Sequence, residues 1–369
     1  MVPLITLFIK LKIVTFDCLN SKFRVTMKSH LLATCWILAG LFSFIPLKLF
    51  SAVKDLNHSG RRRNTSTIIP SLLRPGDTIA VVAPAWWDLN HDHIVSETKK
   101  IFSSWGLKVI FGKSVGPKFG QFAGEDNLRL ADLQSMLDNS TIKAIIAYRG
   151  GYGVARIIDS LNFDKFLQHP KWIVGFSDIT TMHLKMHQLG VVSIHGEMPK
   201  HFPDSSYESS INSLRLVLFE GIAQISAKPS VHNRLGEVIA PVVGGNLVLI
   251  CSNIGTDTDL DTKGKILVIE EVGEQLYALD RMMNQLKRAG KLQDLAGLVI
   301  GDMIDMRDIT GMPFGKTVQA IIQEHVAEYG YPVAFNFPIG HQSPNIAFLH
   351  GAVGKLLVTE KSVSLYFSK

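Results

Sequence analysis

Between residues 71 and 200 the apolar positions alternate between two periods. Residues 78–83 read TIAVVA, a continuous β-branched run closed by Pro84, as expected of a strand covered on both faces. Helical spacing follows over 94–105, then a strand at 107–111 and a helix over 127–137. A strand at 144–147 enters Arg149-Gly150-Gly151-Tyr152-Gly153 and a helix running through Leu161. Another at 172–174 enters Gly175-Phe176-Ser177-Asp178 and a helix to Leu189, stopped by Gly190. Strands alternating with helices predict parallel βαβ units, hence an open, Rossmann-like parallel sheet.

The pattern changes after residue 200. Residues 201–236 read as a linker holding one helix, 209–219. From 237 to 369, strands at 238–243 and 266–269 surround Gly244-Gly245-Asn246 and an apolar helix. A helix at 277–289, a strand at 297–300 and a helix at 316–328 come next, then strands at 333–337, 355–358 and 362–367. The expected fold class is α/β: an open parallel-sheet (Rossmann-like) domain over 71–200 and a second α/β domain over 237–369 with a strand-rich end.

The N-terminus has a different composition. Residues 31–47 carry no charge and follow Met27-Lys28, the pattern of a secretory signal peptide or a short anchor. Residues 1–52 are thus read as an upstream extension plus a signal-like stretch over 27–52, and 53–70, with Arg61-Arg62-Arg63, as a solvated linker. This predicts export to the periplasm or cell envelope, with membrane contact only through an uncleaved N-terminal anchor. The formal charge of +6 loses its apparent meaning once located. Six of the basic residues lie in 1–52 against Asp17 alone, so the rest of the chain carries about +1 and a nucleic-acid partner is not expected. Cys251, the cysteine outside that segment, sits in an apolar run and reads as a core thiol.

Several residues could carry chemistry, and each has a plain alternative. Ser177 lies at a strand-to-helix turn, where a nucleophile would meet the first N–H groups of a helix; a helix N-cap is the competing role. The glycine-rich turn Arg149–Gly153 could approach a ligand or be structural, and it lacks both a dinucleotide fingerprint and a P-loop lysine. The His183/His187 and His91/His93 pairs lack a convincing third metal ligand and read as surface or capping residues, so neither metal nor cofactor is expected. Glu270 and Glu271 end an apolar strand and point to opposite faces; one could orient an imidazole, or both could be solvated. His341 follows Gly340 on a loop after a strand.

Taken in order, Arg74-Pro75-Gly76-Asp77, Phe122-Ala123-Gly124, the Arg149–Gly153 turn, Gly175-Phe176-Ser177-Asp178, Gly244-Gly245-Asn246-Leu247, Ile269-Glu270-Glu271, Asp280-Arg281 and Gly340-His341 resemble the LD-carboxypeptidase family of serine peptidases over about residues 72 to 360. The resemblance implies Ser177 as nucleophile, His341 as base, Glu270 as the acid orienting it, and an oxyanion hole from the N–H groups of Asp178 and Gly151, which puts the active site at the interface of the two domains. It leaves Arg149 and Tyr152 as substrate-binding candidates, and a peptidoglycan tetrapeptide as the partner. A homodimer is compatible with it. Two departures are Ala85, where the family often has serine, and His350, where proline is usual. The alternatives are a microcin-immunity-type hydrolase of peptidyl or acyl-sulfamoyl nucleotides and a non-catalytic binder of peptidoglycan fragments.

Overall fold

The computed structural model describes residues 67–367. The signal-like stretch and nearly all of the linker lie outside the described residues. Among the described residues no helix is long and apolar enough to cross a membrane.

The first half contributes β1 (Thr78–Val82), α1 (His91–Ser104), β2 (Lys108–Phe111), α2 (Asp126–Asp138), β3 (Ile142–Ala147), α3 (Asp164–Gln168), β4 (Trp172–Gly175), α4 (Thr180–Gln188), β5 (Ser193–His195) and α5 (Glu208–Glu220). The second contributes β6 (Gln224–Ala227), β7 (Gly236–Asn246), α6 (Leu247–Ser252), β8 (Ile266–Val272), α7 (Leu276–Arg288), β9 (Gly297–Ile304), α8 (Val318–Val326), β10 (Val333–Ala334), β11 (Phe348–His350), β12 (Val353–Val358) and β13 (Val363–Phe367). One sheet has the order β11-β5-β4-β3-β1-β2 and is parallel except for β11, which returns from the C-terminal half to pair antiparallel with β5. The other runs β10-β9-β8-β7-β12-β13-β6. Its long strand β7 joins two regimes: Gly236 to Pro241 pairs antiparallel with β12, and Val242 to Asn246 pairs parallel with β8.

Burial on both faces explains the continuous apolar runs. Ile79 and Val81 of β1 enter a core shared with Val242, Ile266 and Leu356 of the second sheet, while Ala80 and Val82 face Leu133 and Leu137 of α2. The opposite face of the second sheet packs on α6, α7 and α8 through Ile250, Leu279, Met283 and Ile322. Helix ends follow local chemistry: the Thr317 hydroxyl accepts from Ala320 N–H at the start of α8, and Gly221, at φ 68°, ends α5.

Three expectations are corrected. The helix expected through Leu161 is two short 3-10 turns, Val154–Arg156 and Ile158–Ser160, closed by bonds three residues back from Ile157 N–H to the Val154 carbonyl and from Ser160 N–H to the Ile157 carbonyl, with the Val154 N–H donating to the buried Asp178 carboxylate at 2.9 Å. The strand expected over 333–337 stops at Ala334, ahead of Asn336 with φ 67°. The short strands β5, β6 and β11 were not anticipated; at three or four residues each they are too brief to show a period.

Lys171 is a buried cation with a structural task. Its Nζ donates to the carbonyls of Leu137 (2.8 Å), Asn139 (2.6 Å) and Met136 (3.1 Å), closing the C-terminus of α2. Burial pushes its pKa down to about 8. Lys171→Met keeps the stem but strands those carbonyls, and a loss of about 2 kcal/mol is expected in urea unfolding. An unchanged midpoint would show that water replaces the ammonium.

Candidate active site

The site starts from a strained turn. Gly175 leaves β4 at φ 156°, Phe176 is extended, and Ser177 adopts φ 60°, a left-handed conformation uncommon outside glycine. A 3-10 turn, Ser177–Ile179, then feeds α4. The Ser177 side chain makes no capping hydrogen bond, so the N-cap alternative finds no support. The turn also explains one glycine, since a Cβ on Gly150 would lie 2.9 Å from Ser177 Cβ and 3.4 Å from the Asp178 nitrogen. Gly151, at φ 111°, lies under the Trp86 indole, and its N–H finds no acceptor among the described residues. The Asp178 carboxyl points away from the cleft and is fully buried, which raises its pKa to about 6.

The second lobe brings a histidine to this turn. His341 Nδ1 is 2.7 Å from Glu270 Oε2, and its ring stands edge-on to Phe176 with centroids 5.1 Å apart. A β-bulge makes this approach possible: opposite Glu270 of β8, β9 carries two residues, Gly301 and Asp302. A Cβ on Gly301 would sit 2.3 Å from the Ile339 carbonyl oxygen, so glycine lets the Gly340-His341 loop close over the strand. Asp302 holds the loop, accepting from Gln342 N–H at 2.8 Å, and burial raises its pKa to about 6. Burial alone would push the His341 pKa down, but the Glu270, Glu271 and Asp302 carboxylates outweigh it and the net shift is upward.

Neither glutamate is solvated, which overturns the plainer reading of that pair. Glu270 faces His341. Glu271 faces the other way, accepting from Asn246 Nδ2 (3.1 Å), Val248 N–H (2.8 Å) and Val272 N–H (2.9 Å), and burial lifts its pKa to about 7. Asn246 N–H in turn donates to Thr180 Oγ1 at the start of α4, so Gly244-Gly245-Asn246 ties the two lobes together behind the serine turn.

Ser177, Gly151, Arg149 and His341 line one cleft of about 440 Å³, with Trp86, Lys200, His201 and Asp305. The cleft draws on both lobes. Tyr152 is not in its wall; the ring leans on Phe122 instead. Arg149 is engaged, donating to Asp88 Oδ2 at 2.6 Å and to the Trp87 carbonyl. A larger hollow of about 670 Å³, lined by Asp302, Asn336 and Gln342, reaches neither Ser177 nor His341, so its size does not make it the reaction site. Trp86, Lys200, His201 and Gly301 were missed in the sequence because each is a single residue in a loop or strand end with no periodic or motif signal.

The chain matches the LD-carboxypeptidase N-terminal domain over residues 79–196 and the LD-carboxypeptidase C-terminal domain over 240–356. It belongs to the LD-carboxypeptidase family. Members of this family are peptidases, and relatives carry matching names. A probable murein peptide carboxypeptidase of Bacillus subtilis is 33% identical over 79% of this chain and 92% of its own length. The murein tetrapeptide carboxypeptidase of Pseudomonas aeruginosa is 27% identical over 75% and 92%. In fold, this LD-carboxypeptidase family member is similar to muramoyltetrapeptide carboxypeptidase from Oxalobacter formigenes (TM-score 0.71, 24% identity, 79% of this chain and 99% of that one). It is also similar to the microcin C7 self-immunity protein (TM-score 0.71, 18% identity, 82% and 99%).

Behind the cleft lies a layer of histidines, which corrects the surface or capping role expected of His183 and His187. Helix α4 is wedged between β5 and β7, so its polar face is covered. His183 is fully buried between Ser193 Oγ and the Gly175 carbonyl, both at 2.8 Å, and burial pushes its pKa and that of His187 down to about 4. His350, one of the two departures from the family pattern, stacks on His183 at 5.5 Å; its ring nitrogens have no partner among the described residues, and burial holds its pKa well below the ordinary value. Its folded pKa lies below its unfolded one, so the unfolded chain binds protons first and stability is lost as pH falls through about 6.5. The raised pKa values of Asp178, Glu271 and Asp302 act in the opposite direction, so a difference measurement is needed. His350→Phe should gain about 2 kcal/mol on wild type between pH 7 and pH 5, read from urea midpoints. A pH-independent difference would mean that His350 titrates alike in the folded and unfolded chains, and a difference of opposite sign that it is charged in the fold.

Proposed function

We propose that the chain is a serine-type LD-carboxypeptidase that removes the terminal D-alanine from peptidoglycan tetrapeptides. The observation that carries this reading is the convergence of a left-handed serine turn and a Glu270-oriented His341 on one cleft. The names of the relatives give the substrate class. In this reading His341 takes the Ser177 proton as Oγ attacks the scissile carbonyl, and the oxyanion sits against the N–H groups of Gly151 and Asp178. His341 then protonates the leaving amine, and water, activated by the same imidazole, releases the acyl group. The upward shift of His341 suits a group that must carry a proton in the transition state. Export to the envelope is part of the proposal, as it places the enzyme with its polymer.

Purified protein incubated with tetrapeptides bearing lysine or diaminopimelate at the third position should yield the tripeptide and free D-alanine, read by mass. Intact tetrapeptides alongside hydrolysis of an acyl-sulfamoyl nucleotide would favour the microcin-immunity-type reading. Turnover of neither, with saturable binding of the fragment, would favour a binder.

A further inference from the structure

An enzyme that removes a single terminal residue must recognise a free carboxylate just beyond the bond it cuts, and in a half-dry cleft that calls for an uncommitted cation. The cationic candidates lining this cleft are few. Arg149 already pairs with a carboxylate: its Nη1 donates to Asp88 and to the Trp87 carbonyl and its guanidinium lies over the Trp86 ring, while its Nε is buried with no partner among the described residues. His201 is bound to Glu197 at 2.8 Å and stacked on Tyr207, and His341 is held by Glu270. Lys200 differs from all of them. Its ammonium has no hydrogen-bond or ion-pair partner among the described residues, although the side chain is only partly exposed and lines the same wall as Ser177.

Its backbone, by contrast, is fixed. Lys200 lies in a 3-10 turn, Pro199–His201, and its N–H donates at 3.1 Å to the carbonyl of Tyr148, the residue before Arg149. The ammonium is thereby presented beside the glycine-rich turn. None of the carboxylates near it pairs with the ammonium: Asp88 holds Arg149, Glu197 turns one oxygen to His201 and the Met198 N–H and buries the other without a partner among the described residues, and Asp305 shares the cleft wall without an ion pair to Lys200. Burial first, then the Arg149 charge, lowers the Lys200 pKa, and Asp88 and Glu197 only partly oppose this. An amine in that position gains from an incoming anion.

We propose that Lys200 is the receptor for the terminal carboxylate of the substrate and so sets the exo-specificity of the cleft. This rests on the carboxypeptidase reading above for the nature of the ligand. A binding experiment separates the two. In a Ser177→Ala background, which cannot turn over, titration with a tetrapeptide free acid and with its C-terminal amide should show tighter binding of the acid. Adding Lys200→Met should weaken the acid by about 100-fold, the scale of a charge-assisted hydrogen bond, and leave the amide nearly unchanged. Lys200→Arg should restore part of the preference for the acid. Equal weakening of acid and amide, or no change in either, overturns the assignment, and unchanged circular dichroism guards against misfolding. If the acid preference depends on Lys200 while wild type cleaves no tetrapeptide, the carboxylate site stands and the catalytic reading fails. If wild type cleaves acid and amide alike, the assignment fails and the catalytic reading stands.

Discussion

Ser177→Ala is expected to lower tetrapeptide turnover by about 10⁴-fold or more while leaving the fold intact, the scale of loss when the nucleophile of a covalent mechanism is removed. The stability cost should be small for three structural reasons. The hydroxyl caps no helix, the left-handed φ of 60° is about as unfavourable for alanine as for serine, and the Cβ that packs against Gly150 is retained. A change within about 0.5 kcal/mol is therefore expected. A fluorophosphonate should label the wild-type protein at Ser177 and leave the variant unlabelled. Wild-type-like hydrolysis by a folded Ser177→Ala protein would sink the mechanism.

The parts of this fold legible in the sequence are those whose physics is local. Strands β1 and β4 and the 144–147 stretch of β3 are covered on both faces, so their apolar runs are unbroken past the exposed Lys143, and α7 shows its core face through Leu279, Met282, Met283 and Leu286 at helical spacing. Glycines flag the turns that carry Ser177, after β4, and His341, in the loop between β10 and β11, while Glu270 lies inside β8, two residues short of its end. What brings them together is not local. The return of β11 to the first sheet and the two-for-one bulge at Gly301-Asp302 both depend on register between distant strands, which no window of sequence contains. The burial of His183 and the half-burial of His187 escaped notice for the same reason: α4 looks amphipathic until a second lobe covers its polar face. Lys171 and Lys200 show the limit clearly. Both are single lysines near loops, yet one closes a helix and the other stands unpaired in a cleft, and only their surroundings distinguish them.

The adjacent glutamates give the second large effect, and one expected to be lopsided. Glu270→Gln should cut the chemical step by about 10³- to 10⁴-fold, because glutamine keeps the shape but removes the charge that stabilises the imidazolium and fixes its tautomer. Its carboxylate is fully buried, with Oε2 on His341 and no partner for Oε1 among the described residues, so the imidazole is the contact that the substitution disturbs. Glu271→Gln should act on stability instead. Its oxygens accept from Val248, Val272 and Asn246, and an amide nitrogen would face at least one of these donors, at a cost of about 1 to 2 kcal/mol. Activity should fall by less than about tenfold, because with a pKa near 7 the native carboxyl is already neutral for part of the time. Measuring kcat and urea midpoints for both variants on one tetrapeptide separates the roles. A severe kinetic loss in Glu271→Gln beside a nearly normal Glu270→Gln would mean that His341 takes its orientation from the opposite face of β8.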